Sequence, residues 1–358
     1  MKALRIGVNA LYLIPGGVGG TEIYLRNLLA ALAAIDASNE YFVFTNRETG
    51  ADLTPVQANF HWVPQPVRAT FRPARILWEQ TGLPIAAARL RLDVMFNPGF
   101  TCPLISACPN VTVFHDLQHK RHPEYFRWFD LPFWKLLLWA AVRRSKKLIA
   151  VSAATRDDLG HFYGVDADVI HHGVAEAFFD IASERRPQDY FLCVSTLHPH
   201  KNLERLVRAC ASVDVPLVIV GMRGFHATQL EKLIADTGRR ARVRLTGWIP
   251  RMELYEYFRG ARAFVYPSTF EGFGMPVLEA MAAGVPVACS CIAPLKEVAG
   301  EAALFFDPLD EDAMRRALEG LRDDGALRER LAAWGTARAR EFTWEAAARK
   351  TLAVLERR

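Results

Sequence analysis

Two glutamates, Glu271 and Glu279, stand eight residues apart in FEGFGMPVLEAMAAGVPVACS (270 to 290), on either side of a glycine-flanked turn that runs into a helical pattern. A carboxylate suits a diol, because each of its oxygens accepts from a neighbouring hydroxyl, so the arrangement points to two hydroxylated rings, one for each glutamate. Gly272 and Gly274 let backbone amides approach a ligand at the helix start, while Glu279, about one turn in, reaches over the same face. As a bare spacing the two glutamates mean nothing. Placed behind the strand pattern AFVYPS (263 to 268), they mark a ligand site.

Other groups with chemistry also follow strand patterns. In STLHPHKNLERLV, Lys201 precedes Asn202, which reads as an N-cap; a lysine joined by the dipole of the following helix could hold a diphosphate and stabilise it as a leaving group, although a solvated helix-end lysine fits the same residues. HDLQHKRHPEYF places His115 and Asp116 after the strand VTVF, where an imidazole can contact a hydroxyl-bearing substrate or serve the structure alone. PGGVGG (15 to 20) precedes a helix expected to open at Thr21, and Gly16, Gly17 and Gly19 would aim bare amides at a phosphate; a plain flexible turn explains the glycines equally well. Asp166 and Asp168 match the DxD pattern of manganese sites, but they precede a strand where a metal-binding pair should follow one, so no metal is expected.

These groups need a scaffold that presents strand ends. The chain has 358 residues, enough for two domains at roughly 150 residues each, and its 51% hydrophobic and 23% charged composition is that of a globular protein without repeats. Apolar strand runs alternate with helical patterns throughout, the signature of doubly wound α/β sheets, and in such sheets ligands sit beyond the carboxyl ends of the strands. Strands are expected at 4 to 10, 41 to 45, 94 to 97, 110 to 114, 147 to 151 and 168 to 172. A polar stretch from 175 to 189 reads as a linker, and a second series runs through 190 to 196, 216 to 221, 243 to 247, 263 to 268 and 286 to 290. Helices are expected from Asn202, near 226 to 237, at 251 to 260 and from Met275. The six cysteines lie mostly in apolar runs without zinc spacing and MKALRIGVNA lacks a signal-peptide pattern, so reduced thiols in a cytoplasmic protein are expected. A net charge of +5 gives no cause to expect a nucleic-acid partner.

Across nearly its whole length the chain resembles the retaining glycosyltransferases of family four, which have the two-domain GT-B fold. The blocks that carry the resemblance are PGGVGGTEIYLRNL, VFHDLQHKRHPEYF, VSAATRDDL, STLHPHKNLERLV, FEGFGMPVLEAMAAGVPVACS, EVAGEAALFFDP and FTWEAAARKTLAVLE. The resemblance implies two Rossmann-like domains facing a cleft, an acceptor-binding one over 1–175 and a nucleotide-sugar-binding one over 190–340, with a last helix (341–358) crossing back to the first. It implies that Lys201 binds the donor diphosphate, that Glu271 and the backbone of Gly272, Phe273, Gly274 and Met275 hold the transferred sugar, that Glu279 holds the ribose, and that His115 lines the reaction centre. The donor would be a GDP- or UDP-linked sugar, with no further cofactor. Ser195-Thr196 and His200 depart from common family residues, which places more of the diphosphate charge on Lys201, and Ser290-Cys291 departs where relatives often have serine-asparagine, which bears on local contacts.

The HDLQHKRHPEYF and HPHKNL blocks look most like mannosyltransferase-type members, which implies a glycan or lipid-linked acceptor in surface polysaccharide or lipopolysaccharide synthesis. A GT-B sugar-nucleotide epimerase and a catalytically silent nucleotide-sugar-binding subunit are the alternatives. Residues 120–147 combine eight Lys or Arg with seven aromatics against two acids. Their apolar core, 131 to 142, is 12 residues long, where about 20 are needed to span a bilayer. The segment reads either as a core helix with a solvated basic end or as a peripheral contact with anionic membrane.

Overall fold

The computed structural model describes residues 3–17, 19–224, 227–237 and 242–357. Val18 of the glycine turn and His226 of the helix expected near 226 to 237 lie outside the described residues, as do the two ends of the chain. The chain divides into two compact units, Met1–Gly173 with Thr343–Arg358, and Val174–Phe342.

The first unit runs β1 (Arg5–Ala10), α1 (Gly20–Ile35), β2 (Glu40–Thr45), β3 (Phe60–Pro64), α2 (Arg72–Arg89), β4 (Val94–Asn97), β5 (Asn110–Phe114), α3 (Gln118–Arg121), α4 (Leu131–Arg144), β6 (Ser145–Ala150), α5 (Ala153–Tyr163) and β7 (Asp168–Val169). Its strands form a parallel sheet in the order β3-β2-β1-β4-β5-β6-β7. The order reverses between β1 and β4, the place where such sheets leave a crevice. β4 and β5 are buried along their whole length, as expected of parallel strands covered on both faces.

The second unit begins with α6 (Ala177–Ser183) and β8 (Phe191–Val194), followed by α7 (Leu203–Val213), β9 (Leu217–Val220), α8 (Ala227–Asp236), β10 (Val243–Gly247), α9 (Arg251–Gly260) and β11 (Ala263–Tyr266). It continues through α10 (Met275–Ala282), β12 (Val287–Ser290), α11 (Ala293–Ala299), β13 (Ala303–Phe306), α12 (Glu311–Asp323) and α13 (Gly325–Ala339). The parallel order is β10-β9-β8-β11-β12-β13, reversing between β8 and β11. The last helix, α14 (Trp344–Glu356), packs against α1 of the first unit.

Several expectations from sequence are corrected. β3 was not anticipated: its FHWVP run is interrupted by polar residues and ends in proline, which an edge strand tolerates. β7 has two residues instead of five, because the chain leaves the sheet at Gly173 to meet the next segment; a Cβ there would lie 2.2 Å from the backbone nitrogen of Trp344. The stretch expected to be a linker contains α6, whose Phe178 and Ile181 are fully buried. Burying each such side chain contributes about 1.5–3 kcal/mol, enough to order a short helix.

The 120–147 segment is more than one element. In α4, Leu138, Ala141 and Val142 join a core cluster with Phe114, Leu148 and Leu159, while Phe133, Leu136 and Trp139 on the other side are exposed. Arg143 and Arg144 end the helix, but Lys146 and Lys147 lie in β6, so the basic stretch is not a single helix end. None of the helices among the described residues is long and apolar enough to cross a membrane.

Candidate active site

Lys201 and Glu271 meet at the point where the second sheet reverses. Lys201 ends a short 3-10 turn (Pro199–Lys201) after β8, and Glu271 sits in the loop after the adjacent β11. The lysine Nζ donates to Glu271 Oε1 at 2.6 Å and to the hydroxyl of Tyr266 at 3.1 Å, and both charged side chains are largely buried. An ammonium has three N–H donors, so this geometry leaves one for a ligand. Burial pushes the Glu271 carboxyl upward, but the charge and hydrogen bond of Lys201 overcome it, and the group is held below its usual range as a carboxylate. The same environment drives the Tyr266 phenol far above its ordinary range, through burial first and the nearby Glu271 charge second.

Backbone contacts hold the two loops in register. The carbonyl of His200 accepts from the Thr269 amide at 2.8 Å, from the Thr269 hydroxyl at 3.0 Å and from Ser268 Oγ at 3.1 Å. Asn202 strengthens this clasp and corrects an expectation. It adopts a left-handed conformation with φ 57° and makes no side-chain cap; its Nδ2 donates instead to the carbonyls of Pro267 and Pro308 at 3.0 and 2.7 Å. An N-cap requires extended backbone, which the turn ending at Lys201 does not supply.

The second glutamate stands on α10. Gly274 precedes this helix with φ 108°, and a Cβ there would lie 2.4 Å from Leu295 Cδ2, so the position demands glycine both for conformation and for space. Gly272 and Met275 flank the same helix entry, with their backbone at the carboxyl side of β11. The Phe273 side chain is buried edge-on against Phe342, so that residue can offer a ligand only its backbone. Glu279 is 8% exposed, and burial raises its carboxyl to about 7, opposed by the positive charge of Arg251 at the start of α9. One glutamate is therefore a firm carboxylate, while the other titrates near neutrality.

The remaining candidates belong to the first unit. His115 directly follows β5 but is 7% exposed, ringed by Tyr24, Phe100 and His172 at centroid distances of 4.9, 5.2 and 5.6 Å. The carbonyl of Pro98 accepts from Nε2 at 2.8 Å, so the proton is assigned there and Nδ1 is the acceptor nitrogen. Burial lowers its pKa to about 4, only partly offset by Pro98, and the ring is neutral near pH 7. The helix expected to open at Thr21 starts at Gly20 with Gly19 as its N-cap. The Gly16 amide donates to Glu22 Oε2 at 2.7 Å and the Gly17 amide to the Ile14 carbonyl at 2.8 Å, so two of the amides expected to face an anion are engaged within the turn. Asp168 pairs with Arg357 at 3.1 Å and Asp166 accepts from the Ala167 amide, which gives both acids structural partners.

Sequence reasoning missed Tyr266, Ser268 and Thr269, and named His200 only as a departure from family residues. The strand-end serine and threonine were a usable signal, because side chains of this kind bond backbone locally; the carbonyl they share is visible only in the fold.

The family description "Glycosyl transferases group 1" matches residues 175–338, and "Glycosyltransferase Family 4" matches residues 18–178. The O-antigen chain mannosyltransferase B of Escherichia coli is 33% identical over 262 residues, 68% of each chain. The O-antigen chain mannosyltransferase RfbU of Salmonella typhimurium is 31% identical over 226 residues, 62% of each chain, so the alignment spans less than two thirds of that relative. Sucrose-phosphate synthase from Thermosynechococcus elongatus shares the fold with a TM-score of 0.81 at 20% identity, covering 99% of this chain and 98% of that one. Two parallel α/β units, strand-end chemistry at a sheet reversal and these matches agree: the chain belongs to glycosyltransferase family four and has the GT-B fold.

Proposed function

We propose that the protein is a retaining mannosyltransferase that moves mannose from a nucleoside diphosphate sugar to a hydroxyl of a lipid-linked glycan in surface polysaccharide synthesis. The Lys201 and Glu271 pair carries this reading. In it, the anomeric carbon loses its bond to the diphosphate and gains one to the acceptor oxygen on the same face, while the acceptor proton passes to a departing phosphate oxygen. Lys201, held by Glu271 and Tyr266, directs its remaining N–H at that diphosphate, where a fixed cation stabilises charge as it develops. Glu271 and the Gly272 to Met275 backbone hold the sugar, Glu279 the ribose, and the neutral His115 the reaction centre. The mannosyl preference rests on the two O-antigen relatives.

The test separates the roles. Glu279→Ala should weaken binding of free GDP or UDP, whichever raises the melting temperature of the native protein, whereas Glu271→Ala should leave that affinity nearly intact while turnover collapses. Equal effects on nucleotide affinity would overturn the assignment. With diphosphate charge met by Lys201 and backbone dipoles, turnover should persist in excess chelator; loss in chelator with recovery on manganese would overturn metal independence.

A lipid-linked acceptor is met at a membrane, and one surface of the first unit suits that role. Trp128, Phe129, Phe133, Leu136 and Trp139 are exposed, with Arg127, Lys135, Arg143 and Arg144 among them. Aromatics at headgroup depth with basic residues on anionic lipid make a peripheral contact. The protein should float with anionic liposomes at low salt and detach as salt rises; Trp128→Ser with Trp139→Ser should abolish flotation, and failure of the native protein to float removes this part of the reading.

A further inference from the structure

The reversal point of the first sheet holds a buried charge pair that the roles above do not use. Arg75 and Glu79 lie one turn apart on α2, 6% and 1% exposed. No acceptor among the described residues bonds to the Arg75 guanidinium, and its Nε is fully buried without a partner. Glu79 Oε2 accepts from Thr101 Oγ1 at 3.1 Å, but Oε1 is buried with none. The neighbouring polar groups are satisfied. Asn9 Nδ2, at the end of β1, donates to Asn97 Oδ1, at the end of β4, and Asn97 Nδ2 donates to Asn110 Oδ1, each at 3.1 Å. Among the described residues the network is thus complete except at Arg75 Nε and Glu79 Oε1. An unpartnered buried guanidinium is expensive, since desolvation of a charged group is repaid only by hydrogen bonds.

We propose that Arg75 and Glu79 form a binding subsite for a neutral sugar ring of the acceptor, the guanidinium donating to one ring hydroxyl and Glu79 Oε1 accepting from its neighbour. The chemistry selects a neutral ligand. One positive and one negative side chain already cancel, so an anion would bring uncompensated charge into the interior, whereas a diol supplies one acceptor and one donor. The position agrees, because ligands of doubly wound sheets lodge where the strand order reverses. The inference rests on reading the first unit as the acceptor side.

The test is saturation-transfer NMR on the full chain, with methyl α-mannopyranoside and methyl N-acetylglucosaminide as probes. At least one probe should receive transfer from the native protein and still do so in Lys201→Ala. Binding should weaken at least tenfold in Arg75→Met/Glu79→Gln, whose melting temperature should equal or exceed the native value because a buried charge pair is removed. Glu79→Gln alone, nearly isosteric, carries the test should the double variant fail to fold. Absence of transfer to the native protein, loss in Lys201→Ala, unchanged binding in the Glu79 variants, or displacement of the probe by inorganic phosphate would each overturn the subsite. The GDP or UDP thermal shift should survive in both Glu79 variants, so failure here is distinguishable from failure of the donor-site reading.

Discussion

The two sheets reverse strand order in the same way and populate the reversal with opposite polar strategies. Between β8 and β11, Lys201 and Glu271 are bonded to each other, and the loops that carry them are tied through the His200 carbonyl. Between β1 and β4, two asparagines bond across the strand ends, while the charged pair Arg75 and Glu79 beside them has unfilled bonding positions. On the roles proposed above, the contrast is between two ways of preparing one fold feature for a ligand. A pre-bonded ion pair stays rigid before its ligand arrives, and rigidity suits a group that must meet charge developing in a transition state. An incompletely bonded pair draws its stabilisation from a bound ligand, which suits selection of a ground-state partner.

The largest effects should come from breaking the bonded pair. Lys201→Ala should lower turnover by about 10²–10³-fold, the scale of removing one fixed group that stabilises developing charge. It should also destabilise the fold by about 3–5 kcal/mol in urea denaturation, since Glu271 is left buried as a lone carboxylate. Unaltered stability in this variant would remove the distinction between the two reversal points.

Glu279 sharpens the comparison through pH. Its carboxyl lies at about 7 in the fold against 4.5 unfolded, so between those values the folded state binds more protons and stability falls as pH rises. Glu279→Gln lacks this term. Its stability relative to the native protein should therefore rise by about 3 kcal/mol between pH 4.5 and 7 and level off above, as followed by urea denaturation across that range. A relative stability independent of pH would mean that Glu279 is a carboxylate as firm as Glu271.

Asn202 tests the clasp that keeps the bonded pair in register. Asn202→Ala removes two hydrogen bonds to buried carbonyls and places alanine at φ 57°, for an expected loss of about 2–3 kcal/mol. Asn202→Gly tolerates the conformation and should recover about 1 kcal/mol of that in the same denaturation series. The smallest effect is expected at His115. With its pKa lowered to about 4, the ring does not change charge between pH 6 and 8, so the ratio of His115→Gln to native turnover should be constant across that interval in steady-state assays. A ratio that varies with a midpoint near 6.5 would show that the imidazole is far more solvated than its packing against Tyr24 and Phe100 implies.

Local structure carried by one contiguous stretch was legible in advance. The run around Glu271 and Glu279 combines a strand, a glycine that no other residue can replace at φ 108°, and a helix, all within local reach of the chain. Continuous apolar runs likewise announced buried parallel strands, because β-branched and aromatic runs have few other places to go. The elements that escaped were those whose identity depends on neighbours: β3 as an edge strand, α6 as a helix ordered by two buried side chains, and Asn202 as a tie between loops instead of a cap. Arg75 and Glu79 lie on α2, in a stretch where no element was expected from sequence.

The amino-acid order by itself determined two α/β units, the strand ends that carry functional groups, and the family, since hydrophobic periodicity and short motifs act over a few residues. Only the tertiary structure decided which groups are paired and which are not. Lys201 and Glu271 are 70 positions apart, and Thr101 and Glu79 are 22 apart. Their hydrogen bonds, their burial and the shifted proton affinities of Glu271, Glu279 and His115 arise from strand order and packing, because desolvation and charge pairing depend on distance in space and not along the chain.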